Sequence, residues 1–167
     1  MLRSTTGMTD DGGVIRDPEN RLRIARTFFE TVPHNTALGM RIVSIGDGEA
    51  VFELPYAAHL VGNPDNGVLH GGAITALLDG ASGAAVFSAM TSPVPIATLD
   101  LRIDYLRPAE AGRAVLCRAT CYQTTRNVAF TRAVAYHDDD GEPIAHSVGT
   151  FMTSTRGRPR SAREPRG

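Results

Sequence analysis

One acid carries most of the chemistry that this sequence could perform. Asp79 is the only charged residue between Ala73 and Met90, a stretch of otherwise apolar or small residues. A helix without a polar face is expected to be buried, and a buried carboxylate is costly unless it is paired, hydrogen-bonded or protonated. We therefore predict that Asp79 works as a base or a nucleophile. The alternative is a structural hydrogen bond between its carboxylate and a strand.

The turn before this helix supplies a complementary group. Residues 67–72 read GVLHGG, which predicts a turn followed by a helix start. A helix N-terminus offers free backbone N–H groups and a partial positive charge, and neither Gly71 nor Gly72 has a side chain that would block a carbonyl group. A base or nucleophile together with an oxyanion donor is what hydrolysis of an acyl compound requires. His70 is expected to hold the turn through hydrogen bonds, with proton transfer as the alternative.

The spacing of these residues predicts how they must be used. Asp79 follows Gly71 by eight residues on one helix, which separates them by roughly 12 Å along the axis. One chain cannot bring both groups to the same carbonyl carbon, whereas two antiparallel chains can. We therefore expect an active site that is shared between the two subunits of a dimer.

Composition and length restrict the class of protein. The 167-residue chain is 42% hydrophobic and 21% charged with a net charge of -1, which suits one domain (17–154) between disordered segments at 1–16 and 155–167. This charge argues against binding to nucleic acid or an anionic membrane. The chain lacks a transmembrane-length apolar run and a signal-peptide core, so we expect a cytoplasmic protein.

Cys117 and Cys121 lie too far apart in a strand to pair, and no His or Cys spacing indicates a metal site.

Hydrophobic periodicity and turn residues predict an α+β fold. A first helix is expected over 18–32, with Pro33 ending it, and a long apolar helix over 71–90, with a polar loop over 59–66 between them. Short turns between strands indicate an antiparallel sheet, and we expect this sheet to wrap around the long helix. The predicted strands are 41–46, 49–55, 96–106, 113–123, 128–137 and 143–154.

Residues 96–106 alternate between apolar and polar side chains. The apolar set is Ala97, Leu99, Leu101, Ile103 and Tyr105, and the polar set is Thr98, Asp100, Arg102 and Asp104. Such alternation is typical of a strand with one buried and one polar face. It places Thr98 on the face opposite Leu101.

Three segments resemble the hotdog-fold acyl-CoA thioesterases of the PaaI (phenylacetate-pathway) type. They are the segment from Asn66 to Gly72 followed by Asp79, the strand 97–108 with its final proline, and the last strand, 145–152. The resemblance implies a hotdog fold in a homodimer that is often paired into a tetramer. It also implies an acyl-CoA substrate and no metal or other cofactor.

The resemblance also assigns roles to individual residues. The catalytic acid falls on Asp79, and the donor to the thioester carbonyl falls on the Gly71 N–H. The motif histidine is His70, Gly72 contacts the substrate, and a hydroxyl that positions the water or the acid falls on Thr98.

One position departs from the family pattern. Many members carry Asn or Gln in the loop before the histidine, whereas Pro64 occupies that slot here. Asn66 or Asn63 would have to substitute, and Asn66 is kept among the candidate catalytic residues. Arg126 and Asn127 lie in a loop that similar thioesterases use for CoA, and they are expected to bind its phosphates. The alternative for this pair is a solvated loop.

Three functions compete at this point. Acyl-CoA hydrolysis is favoured, with an aryl or medium-chain acyl group, because Leu77, Leu78 and Phe87 would line an apolar pocket. An acyl-CoA-binding sensor or subunit would need the pocket but not Asp79. An enoyl-CoA hydratase on the same fold would need the acid before the histidine, whereas His70 comes first here.

Overall fold

Three helices and eight strands make up the part of the chain that the computed structural model describes, residues 18–91, 95–138 and 142–153. The predicted disordered segments at 1–16 and 155–167 lie outside these residues, as do both ends of the predicted domain. The helices are α1 (Pro18–Phe29), α2 (Pro33–Leu38) and α3 (Gly71–Ala89). The strands are β1 (Arg41–Gly46), β2 (Glu49–Leu54), β3 (Val61–Asn63), β4 (Val68–Leu69), β5 (Ala97–Tyr105), β6 (Val115–Thr124), β7 (Val128–Tyr136) and β8 (Ala145–Met152).

Six of these strands form one antiparallel sheet around α3. Their order is β1-β2-β6-β7-β8-β5, while β3 and β4 form a separate two-stranded ribbon. α3 packs mainly on β2, β6 and β7, where side chains such as Phe52, Leu54 and Val115 are almost completely buried. The predicted α+β fold, with an antiparallel sheet around a long central helix and a helix before it, is confirmed.

α3 is a core helix, although it is long and apolar enough to cross a membrane by length and composition. Its residues Leu77, Leu78, Ala81 and Ala84 are fully buried within the protein. A helix that already buries its apolar surface against a sheet has no exposed apolar belt to place in lipid. The composition of α3 therefore reflects its place in the core.

Pro33 begins a helix instead of ending one, which corrects the sequence prediction. The helix predicted over 18–32 ends at Phe29, and α2 starts at Pro33. Proline suits the first position of a helix, and Val32 before it has a ψ of 123°, the extended conformation that a residue preceding proline prefers. Gly39 ends α2 with a φ of 70°, a left-handed conformation that favours glycine.

The loop predicted over 59–66 is partly regular, which is a second correction. A 3-10 turn (Ala58–Leu60) leads into the β3-β4 ribbon, and the His70 N–H donates to Leu60 O at 2.8 Å. A Cβ atom on Gly62 would lie 2.7 Å from His70 Cα, so only glycine lets the ribbon approach the start of α3 this closely. The ribbon thereby fixes the turn that precedes α3.

β5 differs most from its prediction. Among the described strands it pairs only with β8 and is an edge strand, and Leu99 is 52% and Tyr105 48% exposed. The prediction of one fully buried face is therefore wrong for the single chain. A β-bulge between Thr98 and Asp100 also shifts the alternation, so that Thr98 lies on the same face as Leu101 and Tyr105.

Candidate active site

Asp79 lies in an open cleft and is half-buried. The cleft has a volume of about 440 Å³ and lies between α2, α3 and β5. Its lining residues are His34, Asn35, Gly72, Thr75, Ala76, Asp79, Gly80, Thr98 and Leu101. The prediction of a fully buried carboxylate is thus corrected, because this face of α3 is turned toward the edge strand β5, which covers it incompletely.

One hydrogen bond positions the acid. Thr98 Oγ1 donates to Asp79 Oδ1 at 2.9 Å, and Oδ2 has no hydrogen-bond donor within the described ranges. An ionised carboxylate only accepts hydrogen bonds, so Oδ2 is available to a water molecule or to a reacting carbon. The bulge at Leu99 makes the contact possible, because uninterrupted alternation would turn Thr98 away from α3.

At the start of α3, the hydrogen-bond pattern leaves one backbone donor free. His70 is the N-cap residue, and its Nδ1 accepts from the Gly72 N–H at 2.9 Å. The Ala73 N–H donates to His70 O at 3.0 Å. Of the first three N–H groups of α3, only that of Gly71 has no acceptor among the residues described. His70 therefore caps the turn, and the Gly71 N–H is available to a ligand, while the catalytic roles assigned to both residues stay predictions.

Two hydroxyl groups hold the first peptide unit of α3. Tyr105 Oη donates to Gly71 O at 2.7 Å, and Thr75 Oγ1 donates to the same carbonyl at 3.1 Å. The two hydroxyl oxygens lie 2.7 Å apart. Sequence reasoning did not select Tyr105 or Thr75 as site residues. The only signal for Tyr105 was its place on the apolar face of the alternating strand.

A second cleft lies beside Gly71, on the other side of the helix start. It has a volume of about 330 Å³. Its lining residues are Leu69, Gly71, Ile74, Tyr105, Leu106, Arg107, Pro108 and Ala109. The Gly71 cleft and the Asp79 cleft are therefore separate in the single chain, and each holds one half of the predicted chemistry.

The loop after β5 forms one wall of the Gly71 cleft and is held in place by polar contacts. The fully buried His137 accepts from the Glu110 N–H at 3.0 Å through Nε2, and donates to Ala114 O at 2.7 Å through Nδ1. Arg113 bonds to the carboxylates of Glu110 and Asp138. These hydrogen bonds lower the pKa of both carboxyl groups, so the ion pairs persist at neutral pH.

The loop asparagines do not reach either cleft in the single chain. Asn66 Oδ1 accepts from the Val68 N–H at 3.2 Å, and Asn63 Oδ1 accepts from the Asp65 N–H at 3.0 Å. Both contacts are Asx turns that shape the approach to β4. The catalytic role assigned to Asn66 stays a prediction.

Arg126 and Asn127 are exposed in the turn between β6 and β7. Val128 pairs with Met152, and Met152 pairs with the first residue of β5. The turn therefore lies at the end of the sheet where Thr98 stands, two strands away, or roughly 10 Å at the usual strand spacing. Binding of CoA phosphates by this turn stays a prediction.

Residues inside the core are not part of the clefts. Leu77 and Leu78 are fully buried, and Phe87 packs against the core, so none of them lines the Asp79 or the Gly71 cleft. Their place in an acyl pocket stays a prediction. Cys117 is buried, which raises the pKa of its thiol and keeps it protonated. Within the described parts of the chain, no group of three or more His, Cys, Asp or Glu could hold a metal ion.

Comparisons with known proteins agree with this architecture. A family model described as the thioesterase superfamily matches residues 66–144. The medium/long-chain acyl-CoA thioesterase YigI of Salmonella typhimurium is 30% identical over 142 residues, which cover 77% of this chain and 90% of the relative.

Two solved structures extend the likeness to three dimensions. A Pseudomonas aeruginosa protein is 44% identical and covers 80% of this chain and 98% of its own, with a TM-score of 0.73. A mutant of the phenylacetic acid degradation protein PaaI from Thermus thermophilus is 30% identical and covers 73% of this chain and 99% of its own, with a TM-score of 0.64. The chain therefore belongs to the thioesterase superfamily, as a hotdog-fold thioester hydrolase of the PaaI type.

Proposed function

We propose that this protein hydrolyses acyl-CoA thioesters to a free acid and CoA. One observation carries the proposal. Within the described residues, a single helix presents a carboxylate with one unpaired oxygen, at Asp79, and a backbone N–H that has no acceptor, at Gly71. An activated water or nucleophile and an oxyanion donor are the two requirements of the reaction. The acyl-CoA thioesterase YigI, a relative over 90% of its length, supports the same substrate class.

The two groups meet only when two copies of the chain combine. They are roughly 12 Å apart along α3, and β5 runs between them. Thr98, near the start of β5, contacts Asp79, and Tyr105 at its end contacts Gly71. If two free β5 edges pair antiparallel about a two-fold axis, the start of one strand lies beside the end of the other. Asp79 of one subunit then faces Gly71 of the partner subunit.

Exposed apolar side chains near this edge support such a dimer. Leu106 is 55% exposed and Val148 on the neighbouring strand is 45% exposed. An uncovered strand edge with apolar neighbours is an aggregation hazard unless another chain pairs with it. Assembly of two dimers into a tetramer and a cytoplasmic location belong to the same proposal.

The proposed reaction divides the work between the two subunits. The Gly71 N–H of one subunit donates a hydrogen bond to the thioester oxygen as negative charge develops there, assisted by the partial positive charge of the helix start. Asp79 of the other subunit removes a proton from water or attacks the carbonyl carbon itself, and Thr98 keeps its carboxylate oriented. A single turnover in ¹⁸O-labelled water tests the direct route. Label on the Asp79 carboxylate would show an anhydride that water opened at the Asp79 carbonyl, whereas label in the product acid alone fits a general base or an anhydride opened at the acyl carbon.

The acyl group is proposed to be uncharged, either medium-chain or aryl. Ala76, Gly80 and Leu101 provide small and apolar surface in the Asp79 cleft. The negative charge of Asp79 opposes a second carboxylate nearby. Turnover that is confined to short, charged acyl-CoAs would contradict this assignment.

The first experiment measures release of free CoA thiol from a panel of aryl, straight-chain and hydroxyacyl-CoAs. We expect turnover by the wild type and a loss of at least about a hundredfold in Asp79→Asn. The Asn variant is nearly isosteric and its site is half-buried, so its melting temperature should stay close to that of the wild type. Binding of the panel without thiol release would instead favour an acyl-CoA sensor.

Mixed dimers test the shared site. Asp79→Asn subunits and Gly71→Pro subunits, each inactive alone, are unfolded together and refolded. Random pairing gives one intact site in half of the dimers, so activity should return to about a quarter of the wild-type value. If dimers that contain both subunits form and stay inactive, the site is not shared.

A further inference from the structure

We propose that the Tyr105 hydroxyl is a second hydrogen-bond donor to the thioester oxygen, beside the Gly71 N–H of the same subunit. The inference rests on the proposed hydrolysis and adds a catalytic residue to it. Oxyanion pockets for acyl transfer combine preorganised backbone and side-chain donors. The first turn of α3 leaves only the Gly71 N–H free among the residues described, so a further donor must come from a side chain.

Among the described residues that line the Gly71 cleft, Tyr105 is the side chain best placed to donate to a ligand. Arg107, which also lines this cleft, directs its guanidinium to Glu142 O and to the Glu110 carboxylate. The other described residues of the lining carry no side-chain hydrogen-bond donor, namely Leu69, Gly71, Ile74, Leu106, Pro108 and Ala109.

The position of the Tyr105 hydroxyl suits this role. Tyr105 Oη lies 2.7 Å from Gly71 O, and a Cβ atom added at Gly71 would lie 3.4 Å from the same hydroxyl oxygen of Tyr105. The hydroxyl is therefore next to the residue whose N–H is free, and both groups border the same cleft. One oxygen atom of a ligand in this cleft can accept from both donors.

The Gly71 carbonyl can lose the hydrogen bond from Tyr105 when substrate binds, because it has other donors. Thr75 Oγ1 already donates to this carbonyl at 3.1 Å, and the Thr75 N–H points to it as the helical i−4 bond. Tyr105 Oη and Thr75 Oγ1 are 2.7 Å apart. A small rotation of the phenol O–H can therefore turn its hydrogen bond from Gly71 O to the substrate, while the Tyr105 oxygen stays in contact with Thr75.

Tyr105 donates a hydrogen bond and transfers no proton. As the water oxygen bonds to the carbonyl carbon, the π pair moves onto the carbonyl oxygen, where Tyr105 and Gly71 stabilise it, and Asp79 of the other subunit takes a water proton. The pair returns when the C–S bond breaks, and the CoA sulfur leaves as a thiolate, which takes up the proton that Asp79 accepted from water. No redox step or further reactant is required.

Tyr105→Phe removes the hydroxyl and keeps the ring. We expect kcat to fall at least about tenfold while KM changes less than about twofold, because the lost bond is strongest in the transition state. Tyr122→Phe is the matched control, since Tyr122 is also 48% exposed and does not line either cleft. A kcat for Tyr105→Phe within about threefold of the wild type would overturn the proposal.

A double-mutant cycle separates direct donation from an indirect effect through Gly71. If Tyr105 only oriented the Gly71 peptide, adding Tyr105→Phe to Gly71→Pro would have no further effect, and this result would overturn the proposal. Direct donation predicts a further loss of at least about fivefold in the single-turnover rate of the double variant.

Mixed dimers provide a second independent readout. Tyr105→Phe subunits refolded with Asp79→Asn subunits should form one intact site per mixed dimer, whereas Tyr105→Phe refolded with Gly71→Pro should form none. Equal recovery in both mixtures would contradict the placement of Tyr105 on the Gly71 side. Failure of the proposed function looks different, because then the wild type itself releases no thiol from any acyl-CoA.

Discussion

The two chemical groups of α3 are held in contrasting ways. The peptide group that joins Gly71 to Gly72 is fixed on both sides. The Gly72 N–H donates to His70, and the Gly71 carbonyl accepts from Tyr105 and Thr75. The Asp79 carboxylate lies in an open cleft, and among the described residues only Thr98 donates a hydrogen bond to it. One end of the site is thus rigid backbone and the other is a lightly held side chain.

This difference fits the roles proposed for the two groups. An oxyanion donor is most effective when its direction is fixed before charge develops, so the start of α3 is held by several neighbours. A general base or nucleophile must contact water, substrate and proton in turn, which a carboxylate with a full set of partners could not do. The comparison therefore predicts that loss of the backbone donor at the Gly71 end reduces kcat more than loss of the hydrogen bond that positions the Asp79 carboxylate.

The largest effect is expected from removing the Gly71 N–H. Proline is accepted at the first position of a helix, and the His70 ψ of 133° suits a residue before proline, so Gly71→Pro should fold. Its kcat should fall by about 10²- to 10³-fold, the usual cost of one oxyanion donor. Thiol release under saturating substrate measures the change, and circular dichroism checks the fold.

Gly71→Ala is the matched control, because it keeps the N–H. Its Cβ would lie 3.4 Å from Tyr105 Oη and would narrow the approach of the carbonyl, so we expect kcat to fall but to stay within about tenfold of the wild type and well above that of Gly71→Pro. Equal impairment of the Ala and Pro variants would show that crowding, and not loss of the donor, causes the effect. Equal activity of both would remove Gly71 from the reaction.

A smaller effect is expected at the other end of the site, from Thr98. Thr98→Ala removes the one hydrogen bond to Asp79, and a bond to a charged group in an exposed setting corresponds to about tenfold in kcat. Thr98→Ser keeps the hydroxyl and should recover most of this loss, with KM unchanged in both variants. Full activity in Thr98→Ala would mean that Asp79 needs no positioning, which would widen the contrast between the two ends.

Periodicity predicted most of the fold. The long helix and the six strands of the main sheet were expected within a few residues of where they lie, because their apolar patterns are long and are bounded by turn residues. Pro33 was misassigned because proline both ends and begins helices, and only the packing of α2 decides between these roles. The β3-β4 ribbon was missed because it is stabilised by a tertiary contact, the approach of Gly62 to His70.

The site was predictable in its residues but not in their environment. Asp79 stood out because it is the only charge in its segment, but its half-buried position depends on how far the sheet extends over α3. Alternation alone places Thr98 on the wrong face of the strand. The bulge at Leu99 reverses that face, and such a bulge leaves no clear mark in the sequence. Tyr105 was read as a packing residue because its polar contact joins the end of β5 to the start of α3.

The smallest effect is expected from His70, provided that its role is to cap α3. Asn at an N-cap can accept from the same backbone N–H, so His70→Asn should keep kcat within about threefold of the wild type. His70→Ala loses the cap, and we expect about 1 kcal/mol lower stability in a urea titration together with a moderate loss of kcat, because the Gly72 N–H is then free to move. Equal, severe losses of kcat in both variants, with stability unchanged, would assign a proton-transfer role to His70. The Gly71 end would then contain a chemical group as well as a rigid donor.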